Sequence, residues 1–249
     1  MLTLKGKNMV VIGGSRGVGR RIVEAGARGA ARVLAVGRQE HWLRELSRAV
    51  PGAETLALDA SAEDAPSKVF STLCPDILVI CGGALPPAGA LHTLSWQQFA
   101  VNWEADVKIA FNFLKAALAR PLPPGTAVVL IASGAALKGS PNSGGYAGAK
   151  RTQLFIANYA QKESDRLGLG LRITTLAPRI IPDSDLGRHA IAGYARYLGI
   201  CEADFVRSME SPPTSDDVAT AAIELAMDPD RARGTAFVVS GNGPEAVPV

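Results

Sequence analysis

Short apolar runs alternate with helix-length amphipathic stretches along most of this chain, and that alternation restricts its fold more than any other feature. Segments 8–13, 32–37, 54–58, 77–81, 127–133 and 171–177 read as strands, several apolar enough to be buried on both faces. Between them, 18–28, 41–50, 61–73, 96–119 and 146–167 read as helices, with Pro121-Leu-Pro-Pro-Gly125 stopping the long one. Parallel strands joined through helices need right-handed crossovers, which cover both faces of the sheet. A final strand and its glycine turn fit Gly234-Thr-Ala-Phe-Val-Val-Ser-Gly241-Asn-Gly243, giving about seven strands. The expected architecture is a single α/β domain over 1–249, doubly wound, with no linker or repeat.

One stretch breaks the alternation. Residues 180–214 read as helices with no strand between them, and 193–198 and 203–209 set aromatics among charges. An insertion beyond a strand's carboxyl end lies over the ligand crevice of such a fold, so 183–214 is expected to form a substrate lid.

The first strand runs into Gly13-Gly-Ser-Arg-Gly17-Val-Gly19, and a helix follows directly. Glycine at 13 permits a tight turn, glycine at 17 lets backbone approach a pyrophosphate, and glycine at 19 lets the helix sit close. The helix N-terminus then offers unpaired N–H groups to the phosphates. A strand before and a helix after make this a dinucleotide site of the Rossmann kind. The second strand ends in Gly37-Arg38, where an NAD site offers an acid to the ribose hydroxyls. Glycine cannot do that, while Arg38 and Arg16 can pair with a 2′-phosphate, so the expected cofactor is NADP(H).

Tyr146-Ala-Gly-Ala-Lys150 sets a phenol and an ammonium four residues apart on one helical face. A free tyrosine titrates near about 10, and a neighbouring ammonium favours its phenolate, bringing it toward the range useful for acid–base work. Ser133 ends a strand thirteen residues before Tyr146, across a glycine-rich segment that can fold back, and its hydroxyl can donate to the same substrate oxygen.

The Gly-x-x-x-Gly-x-Gly spacing, Ser133 and the Tyr146-x-x-x-Lys150 pair together resemble the short-chain dehydrogenase/reductase family over nearly the whole chain. The resemblance implies hydride exchange between a nicotinamide and a carbonyl or secondary alcohol. In that reading Tyr146 passes the proton, Ser133 orients the oxygen, and Lys150 holds the nicotinamide ribose and tunes Tyr146. Asn102 matches the family's asparagine that supports a relay water near the lysine. The implied cofactor contacts are Gly13, Ser15, Arg16, Gly17, Val18 and Gly19, then Arg38, Asp59, Ala60, Gly82, Gly83, Tyr146, Lys150 and the backbone of Ile181. Family members are commonly homotetramers assembled through helices corresponding to 96–119 and 146–167, so a homo-oligomer is expected.

Three places depart from the family pattern. Ile12 replaces a threonine, and Ile80-Cys81-Gly82-Gly83 replaces Asn-Asn-Ala-Gly, so two neighbouring polar positions turn apolar together. Pro178-Arg179-Ile180-Ile181-Pro182-Asp183 replaces a Pro-Gly opening and a later threonine.

Composition sets the remaining limits. A formal charge of +3 without a Lys/Arg run gives no footing for nucleic acid. The apolar runs are too short to span a bilayer, and residues 1–9 lack a secretory pattern, so a cytoplasmic protein is expected. Cys74, Cys81 and Cys201 read as buried, reduced thiols, and His41, His92 and His189 lack ligand spacing for a metal. A non-catalytic NADP(H) sensor or scaffold on the same fold is the alternative, and an epimerase or dehydratase a third. The pocket expected from 85–92, 139–145 and 183–214 suits a hydrophobic ketone, an acyl thioester or a secondary alcohol alike.

Overall fold

A computed structural model describes residues 4–228, 230 and 236–248. The strands β1 (Asn8–Ile12), β2 (Arg32–Gly37), β3 (Glu54–Ala57), β4 (Ile77–Ile80), β5 (Ala127–Ile131), β6 (Arg172–Pro178), β7 (Ala236–Ser240) and β8 (Gly243–Val247) form one sheet in the order β3-β2-β1-β4-β5-β6-β7-β8. All neighbours are parallel except β7 and β8. The period-two alternation of strand side chains builds a core on each face. Met9, Val11, Val33, Ala35 and Val79 pack with Ile22, Val23, Val218 and Leu225 on one side. Val10, Ile12, Leu34, Leu78 and Ile80 pack with Val69, Phe113 and Ala157 on the other.

The helices follow from the same logic. In α1 (Gly17–Arg28) the buried residues Gly19, Ile22, Val23 and Gly26 fall at helical spacing on one face. The helices α2 (Glu40–Ala49) and α3 (Ala65–Thr72) complete the first crossovers. The next helical stretch is not one regular helix: α4 (Trp96–Asn102) passes through a π turn, Trp103–Val107, into α5 (Lys108–Ala119). The N–H of Lys108 bonds Trp103 O, five residues back, which marks the wider turn. A short α6 (Ala135–Lys138) precedes α7 (Gly144–Arg166). Beyond β6 come α8 (Asp185–Leu198), α9 (Glu202–Arg207) and α10 (Ser215–Met227).

Two expectations need correction, and the strand number is refined. The sheet has eight strands, because β8 folds back antiparallel on β7, and Gly243 opens a strand instead of only a turn. Gly234 and Thr235 of the expected last strand lie outside the described residues. The helix expected from Ser61 begins at Ala65, since the Asp59 carboxylate accepts the Ser61 N–H at 2.9 Å and its hydroxyl at 2.8 Å, closing a turn instead. Cys74 and Cys201 are exposed: Cys74 follows the end of α3, and Cys201 caps α9 by accepting the Asp204 N–H at 3.4 Å. No described helix is long and apolar enough to cross a membrane.

The two apolar departures, Ile12 and Ile80, are register partners across β1 and β4, both buried. The polar pair usual in the resembling family is replaced here by one apolar contact region, consistent with the small cost of exchanging both partners together.

Candidate active site

A cleft of about 1110 Å³ opens at the carboxyl ends of the parallel strands, centred where the strand order reverses between β1 and β4. Its floor is the glycine loop. Gly13 has φ +80°, and a Cβ there would lie 2.7 Å from the Gly82 nitrogen. A Cβ on Gly19 would meet Gly13 O at 2.1 Å, so α1 is seated on the loop's own backbone. Gly17, at φ +55°, faces open space. The start of α1 has no side-chain cap and no acidic residue in its first turn. An uncapped, acid-free helix start beside an open glycine fits a pyrophosphate.

Ser15, Arg16, Val18, Arg38, Asp59 and Ala60 line the same end of the cleft. A Cβ on Gly37 would lie 2.9 Å from Ser15 Oγ, so an acidic side chain at 37 would crowd the loop. Arg16, Arg38 and Asp59 are exposed on this rim. The Ser61 N–H and hydroxyl hold the Asp59 carboxyl below its usual range, with a smaller contribution from Arg38.

At the other end, the glycine-rich segment after β5 does fold back. Ser133, just past β5, and Tyr146, in the first turn of α7, line the cleft together, near enough for the serine hydroxyl to favour the phenolate. Lys150 Nζ lies 5.6 Å from the Tyr146 ring centroid, one helical turn on. Burial pushes the Tyr146 phenol upward; Lys150 and Ser133 oppose this without cancelling it, and the phenol stays above its ordinary value. Gly82 and Gly83 border the cleft beside Cys81, whose thiol burial pushes up to about 11.

Asn102 sits on the last residue of α4, buried, and its amide donates to Ala84 O at 2.9 Å and to Asp106 Oδ1 at 3.1 Å. The direct partner of Lys150 is therefore Asp106, a residue the sequence reading passes over. Asp106 Oδ2 lies 3.0 Å from Lys150 Nζ, with the two side chains only 2% and 7% exposed. The lysine also donates to Gln153 Oε1 at 3.0 Å and Ile131 O at 3.3 Å. Gln153 Nε2 donates in turn to the Asp106 carbonyl at 2.8 Å, within the π turn. Burial works to lower the Lys150 proton affinity, but Asp106 and Tyr146 outweigh it, so Lys150 holds its proton more firmly than usual. Among the described residues no buried side-chain nitrogen or oxygen lacks a partner. Removing one member of such a buried pair costs roughly 3–5 kcal/mol.

The walls beyond Tyr146 mix apolar and polar groups: Leu85, Pro86, Leu137 and Met209 with Asn142, Ser143, His189 and Tyr194. Helix α8 is tied down by Ser184, whose hydroxyl accepts the Gly187 N–H at 2.9 Å. His189 Nε2 meets Pro86 O at 2.9 Å, and the Tyr194 hydroxyl meets Ser140 Oγ at 2.5 Å. Residues of 183–214 thus border the cleft, and two of them bond to Pro86 and Ser140. Arg179 donates to Glu210 O at 3.2 Å, and both residues border the cleft. The Ile181 carbonyl accepts the Ser184 N–H and hydroxyl at 3.1 and 2.9 Å.

The sequence matches the short chain dehydrogenase family over residues 7–192. It is 29% identical to the L-xylulose reductase of Bos taurus over 153 residues, 60% of this chain and 62% of that protein's length. It is 26% identical to the D-erythrulose reductase of Gallus gallus over 194 residues, 75% and 76% of the two chains. Carbonyl reductase family member 4 of Danio rerio is 28% identical over 180 residues, 69% and 74% of the two. The matched region holds the glycine loop, the Ser133–Tyr146–Lys150 cluster and the six strands from β1 to β6, on which the cleft is built. The chain belongs to the short-chain dehydrogenase family.

Proposed function

We propose that this protein is an NADP(H)-dependent oxidoreductase acting on a carbonyl or secondary alcohol, with Tyr146 as its general acid and base. The observation that carries the reading is the convergence of Ser133, Tyr146 and Lys150 at one end of a cleft whose other end is the glycine loop. A bound nicotinamide supplies or accepts the hydride. Tyr146 gives its proton to the carbonyl oxygen during reduction and takes it back during oxidation. Ser133 donates a hydrogen bond to that oxygen and holds it against the phenol. Lys150 favours the phenolate after transfer, and it reaches the nicotinamide ribose by releasing Ile131 O, the longest of its three contacts at 3.3 Å. The Ile181 N–H is the donor for the carboxamide. Arg38 and Arg16 receive the 2′-phosphate, supported by the crowding that excludes an acid at Gly37.

The raised phenol has a direct consequence for pH. Reduction needs Tyr146 protonated, so its rate should hold through neutral pH and fall as pH rises through the raised value. Oxidation needs the phenolate and should climb over the same alkaline range. Helices α8 and α9 form the substrate lid, and the hydroxyl, amide and imidazole groups of Ser143, Asn142 and His189 favour a small carbonyl compound bearing hydroxyls. The names of the bovine and chicken relatives support the same substrate class. NADPH consumption should follow addition of L-xylulose, D-erythrulose or a simple diketone, and be at least tenfold slower with NADH. Inactivity with every carbonyl despite tight NADPH binding would favour the sensor instead.

We also propose a homo-oligomer in the cytoplasm. Trp103, Phe111, Phe155 and Tyr159 are all exposed on the π turn, α5 and α7, and Trp103 lies against Gly148 of α7. Three free thiols suit a reducing compartment. Phe155→Asp should reduce the mass seen by light scattering to that of a smaller species without loss of helical signal. An unchanged mass would remove this face from the assembly.

A further inference from the structure

Lys150 is held from behind by a carboxylate that the proposed proton transfer does not use. An ammonium has three protons, and three protein oxygens surround this one: Asp106 Oδ2, Gln153 Oε1 and Ile131 O, at 3.0, 3.0 and 3.3 Å. Only the first carries charge. Asp106 is itself fixed by a divided set of contacts. Its Oδ1 accepts the Ala84 N–H at 2.9 Å and the Asn102 amide at 3.1 Å, leaving Oδ2 for the lysine. Room for the carboxylate comes from Gly83, where a Cβ would lie 2.7 Å from Oδ2. Its aim comes from the π turn, which contains it and whose carbonyl Gln153 grips at 2.8 Å.

We infer that Asp106 is a positioning residue of this site: its carboxylate is the fixed counter-ion that aims the Lys150 ammonium at Tyr146. The inference rests on the proposed function for its account of what Tyr146 does. The titratable groups facing the lysine are few. From α7 there is Tyr146, from the end of β4 Cys81, and from the π turn Asp106. Glu104 and Lys108 on the same helical stretch, Arg151 on α7 and Arg179 after β6 are exposed. Cys81 is a neutral thiol at physiological pH because burial raises it to about 11. Asp106 is thus the only anion buried against the lysine among the described residues. Burial penalises a lone ammonium, so the carboxylate is what keeps it charged there. Asn102 acts one step further out, through Asp106.

Asp106→Asn keeps the shape and removes the charge, while Asp106→Glu keeps the charge. The direct measurement is the titration of Lys150 by NMR of protein labelled at the lysine side-chain carbons, with Lys150→Met identifying the signal. In Asp106→Asn, Lys150 should lose its proton at a pH lower by at least about one unit than in the native protein. In Asp106→Glu the titration should return most of the way. An unchanged titration in Asp106→Asn would overturn the inference. Should Asp106→Asn not fold, the double variant with Lys150→Met decides: a folded double variant supports the charge pairing, and an unfolded one overturns it in favour of shape. A second readout is NADPH-dependent reduction of L-xylulose, whose alkaline edge should move to lower pH in Asp106→Asn. A merely structural role would lower the rate without moving the edge. The NMR result does not depend on turnover, so it stands even where the assignment of Tyr146 fails.

Discussion

Tyr146→Phe is expected to lower turnover about a hundredfold or more while leaving NADPH affinity nearly unchanged. The change removes one oxygen. The ring keeps its place in the first turn of α7, and Lys150 keeps its Asp106, Gln153 and Ile131 contacts. What is lost is the proton donor beside Ser133, which burial holds in its protonated form. General acid–base groups contribute roughly 10²–10⁴ in rate, so the loss should be well outside experimental scatter. Steady-state kinetics on the most active carbonyl of the panel, with NADPH binding followed by fluorescence, separates the two effects. Turnover within a few fold of the native rate would sink the assignment of Tyr146. A parallel loss of NADPH binding would mean that the phenol serves the cofactor instead.

The second large effect concerns cofactor choice. Arg38→Asp should weaken NADPH by about a hundredfold and NADH by only a few fold, measured as dissociation constants at one fixed salt concentration. A charged hydrogen bond contributes roughly 1.5–3 kcal/mol, and the new carboxylate adds repulsion toward a 2′-phosphate. The rim also loses the cation that helps hold the Asp59 carboxyl low, a smaller effect beside the Ser61 hydrogen bonds. Arg38→Ala isolates the lost attraction from the added repulsion. Equal weakening of both cofactors would remove the argument for a 2′-phosphate at this rim.

Much of this molecule was readable from residue order because the central strands are buried on both faces. Runs such as Met9-Val-Val-Ile and Ala127-Val-Val-Leu-Ile have no competing interpretation once helices flank them. The ends of elements were less legible. The helix read from residue 61 starts late, because Ser61 gives its N–H and hydroxyl to Asp59 and the helix waits until Ala65. Helix α10 carried a signal that went unused: Thr214 and Asp217 make a capping box three residues apart. Strand β8 carried none, since Gly243-Pro-Glu is poor in strand formers and forms a strand only because β7 offers it an edge.

The candidate site divides in the same way. The placement of Ser133, Tyr146, Lys150 and the glycine loop in one cleft followed the motif spacings, because short strands and one helix turn fix those distances. The Asp106–Lys150 pair was invisible for a physical reason. It joins residues 44 positions apart through a π turn, and no local composition distinguishes a π turn from the α-helix around it. The spacing points to Asn102, but not to the carboxylate behind the lysine that its amide grips. Arg179, where the family pattern has a glycine, lines the cleft and donates to Glu210 O.

The antiparallel β8 has a consequence for how this protein keeps to itself. A parallel sheet ending at β7 would present an apolar strand, Ala236-Phe-Val-Val-Ser, with a row of unpaired backbone groups. Such an edge templates pairing with other chains and invites aggregation. Here Pro244 lies opposite Val239 and Glu245 opposite Val238, so the outermost ladder carries a residue with no N–H and a carboxylate. At the far edge, β3 is only four residues long and sets Glu54 against Arg32 of β2. Both margins of the sheet are thus poor templates, which guards the crowded apolar strands between them while nascent chains fold side by side.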